Sequence, residues 1–97
     1  MIDMYVAQNQ DIAHRVIDDE TIILTPEDGM LHNLNPVATR IFELADGKRR
    51  IRDIIAYICE EFEVEENVAQ KDTINFIQDS IHKKFLLLSD EPLIASK

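Results

Sequence analysis

The sequence predicts a single α+β domain in which three short strands come first and three helices follow. Before residue 35, β-branched residues are concentrated in short runs that turn-forming residues separate. After residue 35, apolar residues recur at the spacing of amphipathic helices. The length of 97 residues suits one domain. We expect the core of this domain in residues 14–88, with a flexible arm at 1–12 and a tail at 89–97.

The three strands are predicted to form an antiparallel meander. Residues 14–17 and 21–25 are β-branched runs separated by acidic residues. Residues 26–29 predict a turn, because their proline presets φ and their glycine tolerates positive φ. Residues 30–34 then return as the third strand.

The first helix is predicted to begin at Asn35 and Pro36. Asparagine caps the free backbone N–H groups of a first turn, and proline is accepted at the first helical position. Gly47 is predicted to end the helix, because glycine readily adopts the left-handed conformation of a C-cap. The apolar residues of this segment lie on one face, at Val37, Ala38, Ile41, Phe42 and Ala45.

Two further helices are predicted at about 51–62 and 66–84. The apolar arc of the third covers roughly half of its circumference, wider than the ~100° stripe of a helix that packs on one side. Such an arc fits either a helix deep in the core or a helix whose second side lines a binding surface. Strands followed by helices in so short a chain predict a winged helix-turn-helix-like arrangement.

Composition excludes several functional classes. The net charge is −9, from 19 acidic and 10 basic residues, so the protein repels the phosphates of nucleic acids and of anionic membranes. No apolar run is long enough to span a bilayer. The single cysteine, Cys59, excludes an internal disulfide and favours a reducing compartment. Together with the lack of a signal-peptide pattern, this predicts a cytoplasmic protein.

The sequence offers no catalytic constellation. His14, His32 and His82 have no metal-ligand spacing with one another or with Cys59. Cys59 lies on the apolar stripe of the second helix, which favours a buried thiol over a nucleophile. Two glycines in the whole chain cannot build a glycine-rich phosphate loop. We therefore expect a protein that is not an enzyme and holds neither a metal nor a cofactor.

One basic segment stands out in this acidic chain. Lys48, Arg49, Arg50 and Arg52 are four of its ten basic residues. Such a patch could dock an acidic partner, or it could be a solvated turn that needs no partner.

Three stretches of the sequence resemble the PqqD family, whose small proteins act in pyrroloquinoline-quinone and related peptide maturation. They read LNPVATRIFELADG, IRDII and DTINFIQDSIHKKFLLL, and the resemblance covers about residues 14–88. Two positions depart from the family pattern: Ser80 stands where leucine is usual, and Lys84 where glycine is frequent. Because lysine resists positive φ, the second departure puts the exit turn of the third helix in question.

The resemblance implies a peptide-binding module without catalysis. In such a module the leader of a ribosomally made precursor peptide adds as a strand to the third strand and lies against the third helix. The module then presents the leader to a maturation enzyme, often a radical S-adenosylmethionine protein. Any iron–sulfur cluster would belong to that enzyme.

This interpretation predicts a peptide site with two walls. The third strand contributes Met30, Leu31, His32 and Asn33. The third helix contributes small or aromatic side chains that leave room for an incoming apolar residue, and one acid beside them: Ala69, Thr73, Phe76, Ser80 and Asp72.

Two alternatives share this outline. A winged-helix DNA-binding regulator would use the third helix for recognition, although the acidic residues of that helix argue against contact with DNA. A docking subunit of a maturase complex would use the basic segment at residues 48–52. A free strand edge would permit either a monomer or a homodimer formed by strand pairing.

Overall fold

Two three-stranded antiparallel sheets and three helices make up the fold in the computed structural model, which describes residues 1–25 and 28–92. The elements are β1 (Tyr5–Gln8), β2 (Ala13–Ile17), β3 (Glu20–Thr25), β4 (Met30–Leu34), α1 (Pro36–Leu44), β5 (Asp46–Arg50), α2 (Ile51–Glu61), α3 (Glu66–His82) and β6 (Leu86–Ser89). The predicted α+β class, with a three-stranded antiparallel sheet and three helices, is confirmed.

The predicted meander is the sheet with strand order β2-β3-β4. Its first turn contains two residues, Asp18 and Asp19, and Asp18 has a φ of 57°. The second turn was predicted at residues 26–29, and residues 26 and 27 lie outside the described residues. In the described part of this turn, Gly29 has the positive φ expected of it, 68°, and its N–H donates to the carbonyl of Thr25 at 2.8 Å.

The second sheet, with strand order β5-β1-β6, corrects the prediction of a flexible arm at residues 1–12. β1 is the central strand of this sheet, and Val6 within it is completely buried. β1 pairs with residues about 40 and 80 positions away along the chain. A strand of four residues is too short for alternation to reveal it, and its partners are too distant for local patterns to reveal them.

The helices begin where the sequence predicts. The side chain of Asn35 accepts a hydrogen bond from the N–H of Ala38 at 2.8 Å, which confirms the N-cap of α1. The predicted role of Gly47 is wrong, because α1 ends at Leu44 and Gly47 lies within β5 with a φ of 84°. Among the described residues, no helix is long and apolar enough to cross a membrane.

The core lies between the helical layer and both sheets. Every layer contributes side chains that are at most 1% exposed: Phe42 from α1, Ile58 from α2, Ile77 from α3 and Leu86 from β6. A buried polar contact joins the meander to α1: the Thr21 hydroxyl donates to the Thr39 hydroxyl at 3.0 Å, and Thr39 donates to the carbonyl of Leu34 at 3.2 Å. This chain of bonds fixes the end of β4 against the helix.

Lys84 forms the exit turn of α3 in the left-handed conformation, with a φ of 67°. Its N–H donates to the carbonyl of Ile81 at 3.1 Å, and the N–H of Phe85 donates to the carbonyl of Ser80 at 2.7 Å. These two bonds are those of a Schellman motif, in which glycine normally holds the position of Lys84. The side chain of Asn9 donates to the Lys84 carbonyl at 2.8 Å and so helps hold the strained residue.

Replacing Val6 with alanine should lower the free energy of unfolding by about 2 kcal/mol, because two buried carbon atoms are lost and a cavity remains. Val16→Ala is the matched control, since Val16 is 42% exposed on β2; its cost should stay below about 1 kcal/mol. Urea unfolding measures both values. Equal effects of the two substitutions would mean that residues 5–8 are the loose arm predicted from the sequence.

Lys84→Gly should raise the free energy of unfolding by roughly 0.5–1 kcal/mol, because glycine adopts positive φ without steric cost. Lys83 precedes it with a helical φ of −86°, so Lys83→Gly should lower stability by a similar amount. Thermal or urea unfolding of the pair tests the exit turn. A loss of stability in both variants would show that the left-handed conformation at residue 84 is not the strained one.

Candidate functional site

Within the described residues the meander has two open edges, one on β2 and one on β4, and the β4 edge is the one predicted to bind a peptide. β4 pairs with β3 on one side, and no strand of the described residues lies on its other side. The pair Ile17–Glu20 closes the two-residue turn between β2 and β3, where such hairpins exchange both backbone hydrogen bonds. Alternation along the ladder from that pair directs the N–H and C=O groups of Leu31 and Asn33 to the free edge.

The side chains of β4 alternate between two environments. Leu34 is buried, and His32 is half-buried with its ring edge-to-face against Phe85 at a centroid distance of 5.0 Å. Met30 lies on the same face but is 55% exposed, so this face opens toward solvent along the strand. On the opposite face Leu31 is 67% exposed. An added strand would therefore meet apolar side chains on both faces of the sheet.

The face of α3 predicted to line the site is mostly closed in this structure. One stripe of α3 packs against the core, and its side chains are at most 1% exposed: Ala69, Thr73, Ile77 and Ser80. Small side chains let α3 lie close to α2, its main helical neighbour. The expectation that these three residues leave open space is therefore corrected.

Two members of the predicted helical wall remain accessible. Phe76 is half-buried at the border of the core, and Asp72 is exposed beside it. These two side chains and the β4 edge are the parts of the predicted site that a ligand can reach without movement of α3.

The closed face of α3 contains two polar atoms without partners. Within the described residues, the hydroxyls of Thr73 and Ser80 are buried and make no hydrogen bond. The buried hydroxyl of Thr39, by contrast, both accepts and donates. An unpaired buried hydroxyl costs about 1–3 kcal/mol, so this interface of α3 is weaker than an all-apolar one.

Comparison with known proteins identifies the family. The family model described as coenzyme PQQ synthesis protein D (PqqD) matches residues 20–86. The chain belongs to the PqqD family. This confirms the resemblance seen in the sequence, and the matched segment contains β4, α3 and the exit turn at Lys84.

A solved structure extends this result. The PqqD-family chain is similar to the structure titled "TbiB1 in Complex with the TbiA(beta) Leader Peptide", with a TM-score of 0.73 and 26% sequence identity. The match covers 82% of this chain and 93% of that one. No match was found among curated proteins.

The basic segment of this PqqD-family chain is largely occupied by partners within the protein. Arg49 pairs with Asp46 at 2.8 Å, Arg50 lies over the ring of Tyr5 at 5.1 Å, and Arg52 pairs with the carboxylate of Asp3. Lys48 is exposed, and no ion pair to it is found in residues 1–25 and 28–92. Docking through this segment stays a prediction, and the intramolecular pairs weaken the charge available for it.

The other polar candidates have structural roles. His14 packs edge-to-face on Phe42 at a centroid distance of 5.0 Å, and the thiol of Cys59 donates to the carbonyl of Val64 at 3.0 Å. In the part of the chain that the structure describes, no three His, Cys, Asp or Glu side chains are grouped to hold a metal ion.

The start of β4 is held by hydrogen bonds that the sequence did not predict. The Thr25 hydroxyl donates to the Asp28 carboxylate, which also accepts from the N–H of Met30 at 3.0 Å. Both bonds lower the pKa of Asp28, and the bond from the Thr25 hydroxyl has the larger effect. The Thr-x-x-Asp spacing before β4 was the signal for this contact.

Replacing Thr73 with valine should raise the free energy of unfolding by about 1 kcal/mol, because a buried hydroxyl without a partner is removed. The same substitution at Thr39 should lower it by about 1–2 kcal/mol, because two hydrogen bonds are lost and Leu34 and Thr21 lose a partner. Urea unfolding of the two variants provides the comparison. If both substitutions destabilise equally, Thr73 has a partner in solution and the α3 face is not frustrated.

Proposed function

We propose that this protein is a non-catalytic recognition element that binds the leader of a ribosomally synthesised precursor peptide by strand addition to β4. It presents that leader to a maturation enzyme, for which the radical S-adenosylmethionine class is the expected partner. One observation carries the proposal: the edge of β4 is open in a PqqD-family chain that is similar to TbiB1, a protein whose structure contains a leader peptide.

Backbone pairing at β4 supplies the affinity. Leu31 and Asn33 each offer one N–H and one C=O, so an extended peptide can form up to four hydrogen bonds with the strand. These bonds require an extended backbone and ask little of the peptide's sequence. They suit a leader that is otherwise unstructured, since the strand fixes its conformation on binding.

Side chains supply the selectivity. An added strand alternates its residues between the two faces of the sheet. On the core-facing side these residues meet Met30 and the half-buried ring of His32. An apolar leader residue placed there would bury surface that is now exposed, at about 25 cal/mol for each Å².

The charge of α3 favours a peptide over DNA. Asp72 and Asp79 are exposed on the helix that a winged-helix regulator would place in the major groove. Asp79 already pairs with Lys83 at 3.0 Å, so Asp72 is the acid of these two that attracts a leader carrying lysine or arginine. The net charge of −9 acts in the same direction over a longer range.

Leu31→Pro should weaken binding of an extended peptide about tenfold, because proline removes one N–H at the β4 edge and leaves the pairing with β3 intact. Val16→Pro is the matched control: by the same alternation its N–H points to the free edge of β2, and it should leave binding unchanged. Leu31→Ala separates loss of the side chain from loss of the N–H. Isothermal titration calorimetry with a peptide selected from a random phage-displayed library measures all three.

Two results would contradict the proposal. One is a loss of binding in Val16→Pro with none in Leu31→Pro, which would move the added strand to β2. The other is the failure of any library peptide, and of the TbiA(beta) leader peptide, to bind the folded wild-type protein. Folding of every proline variant is checked by its amide spectrum before titration.

A further inference from the structure

The face of the meander that points away from α1 is mostly apolar, and Ile17, Leu24 and Leu31 on it are 49%, 40% and 67% exposed. Thr21 and Ile23 of β3 are buried toward the helix, so their neighbours Ile22 and Leu24 point to the other side. An antiparallel sheet with one solvated face normally carries polar residues there. Here the outer face of the meander, as we name it, is formed by five apolar and three polar side chains: Ala13, Ile17, Ile22, Leu24, Leu31, Arg15, Glu20 and Asn33.

Two adjoining cavities form a groove along this outer face. One, of about 380 Å³, is lined by residues that include Ala13, Ile22 and Leu24. The other, of about 450 Å³, lies toward the turn between β2 and β3. The two cavities share Ile17 and Ile22 in their walls, so one extended segment could occupy both.

The two halves of the groove differ in chemistry. The first half is mainly apolar, with Arg15 as its one charged side chain. The second half adds three carboxylates beside the apolar wall, from Asp18, Asp19 and Glu20. This gradient matches a segment with apolar side chains at one end and lysine or arginine at the other.

A second copy of the chain is a poor occupant. Each copy carries a net charge of −9, and face-to-face packing would bring two acidic turns together. Three strands of about five residues give a patch of about 14 by 17 Å. The area of such a patch is well below the roughly 800 Å² that each partner buries in a standard interface.

A leader strand on β4 would enlarge the same surface. Cross-strand neighbours run from Ala13 to Leu24 to Leu31, and Leu31 stands at the edge where the peptide adds. The bound peptide would lie about 4.8 Å beyond β4, and every second side chain of the peptide would point to the outer face. A partner seated on the outer face would therefore touch the bound leader as well.

We propose that the outer face of the meander docks a basic amphipathic segment of the maturation enzyme, with its apolar residues over Leu24 and its lysine or arginine at Asp18 and Asp19. This docking role rests on the proposed function, since the enzyme is the partner that must engage the domain and its leader together. It assigns enzyme docking to the meander rather than to the basic segment at residues 48–52, in which Arg49, Arg50 and Arg52 already have intramolecular partners.

The test uses the full chain, labelled with ¹⁵N, and a synthetic peptide with leucines in its first half and lysines in its second half. Amide shifts should concentrate in residues 13–25, which comprise β2, its turn at Asp18 and Asp19, and β3. Replacing the lysines of the peptide with glutamates should weaken binding at least fivefold. Leu24→Ser and the double variant Asp18→Asn/Asp19→Asn should each weaken the lysine peptide at least fivefold.

Matched controls keep the result interpretable. Leu87→Ser changes a leucine of similar exposure on β6, and Asp90→Asn/Glu91→Gln removes the same charge elsewhere; both should stay within twofold of wild type. Ile17→Ser replaces Leu24→Ser if that variant does not fold. Three results would overturn the proposal: equal binding of the lysine and glutamate peptides, amide shifts concentrated outside residues 13–25, or equal effects of variants and controls.

The library-selected peptide of the preceding section distinguishes the two proposals. With that peptide bound at β4, the lysine peptide should bind as tightly as before or more tightly, and weaker binding would mean one shared site and would overturn the separate docking face. If no library peptide binds β4 while the lysine peptide still shifts the amides of residues 13–25, leader recognition fails and the docking face stands.

Discussion

The position of β4 depends on how the chain leaves it. At Leu34 the strand passes directly into α1, because Asn35 caps the helix and Pro36 occupies its first position. The hydroxyls of Thr21 and Thr39 then join β3, α1 and the Leu34 carbonyl in one buried chain of hydrogen bonds. The last residue of β4 is thereby fixed against the helical layer, while no strand of residues 1–25 and 28–92 covers the outer edge of β4. Peptide recognition and partner docking both rely on that arrangement.

Rigidity and weakness are distributed unevenly around the site. The β4 edge is held by the capped start of α1 and by the bonds of Asp28 and Thr25 at the strand's other end. The α3 side instead contains two buried hydroxyls without partners and a lysine in a left-handed turn. We interpret β4 as a fixed template and the closed face of α3 as a packing surface that its two unpaired hydroxyls weaken.

Local signals in the sequence predicted β2, β3, β4 and the three helices. The cap at Asn35 and the turn glycine Gly29 depend on neighbouring residues alone, so they could be predicted correctly. β1 could not be predicted, because its strand partners lie far away in sequence. Helical periodicity placed Thr73 and Ser80 between two apolar groups but could not tell a closed interface from an open groove. Likewise, the sequence shows the charge of Arg52, but its pairing with Asp3 could be seen only in the structure, because the two residues are far apart in the chain.

Hydrogen exchange at single amides of β4 tests the central claim most directly. In the free protein the amides of Leu31 and Asn33 should exchange rapidly, because no strand of the described chain covers them, while the amide of His32 should be protected by β3. Saturation with a bound peptide should slow exchange at Leu31 and Asn33 at least tenfold and leave His32 unchanged. Rapid exchange at both edge amides in the saturated complex would contradict strand addition at β4.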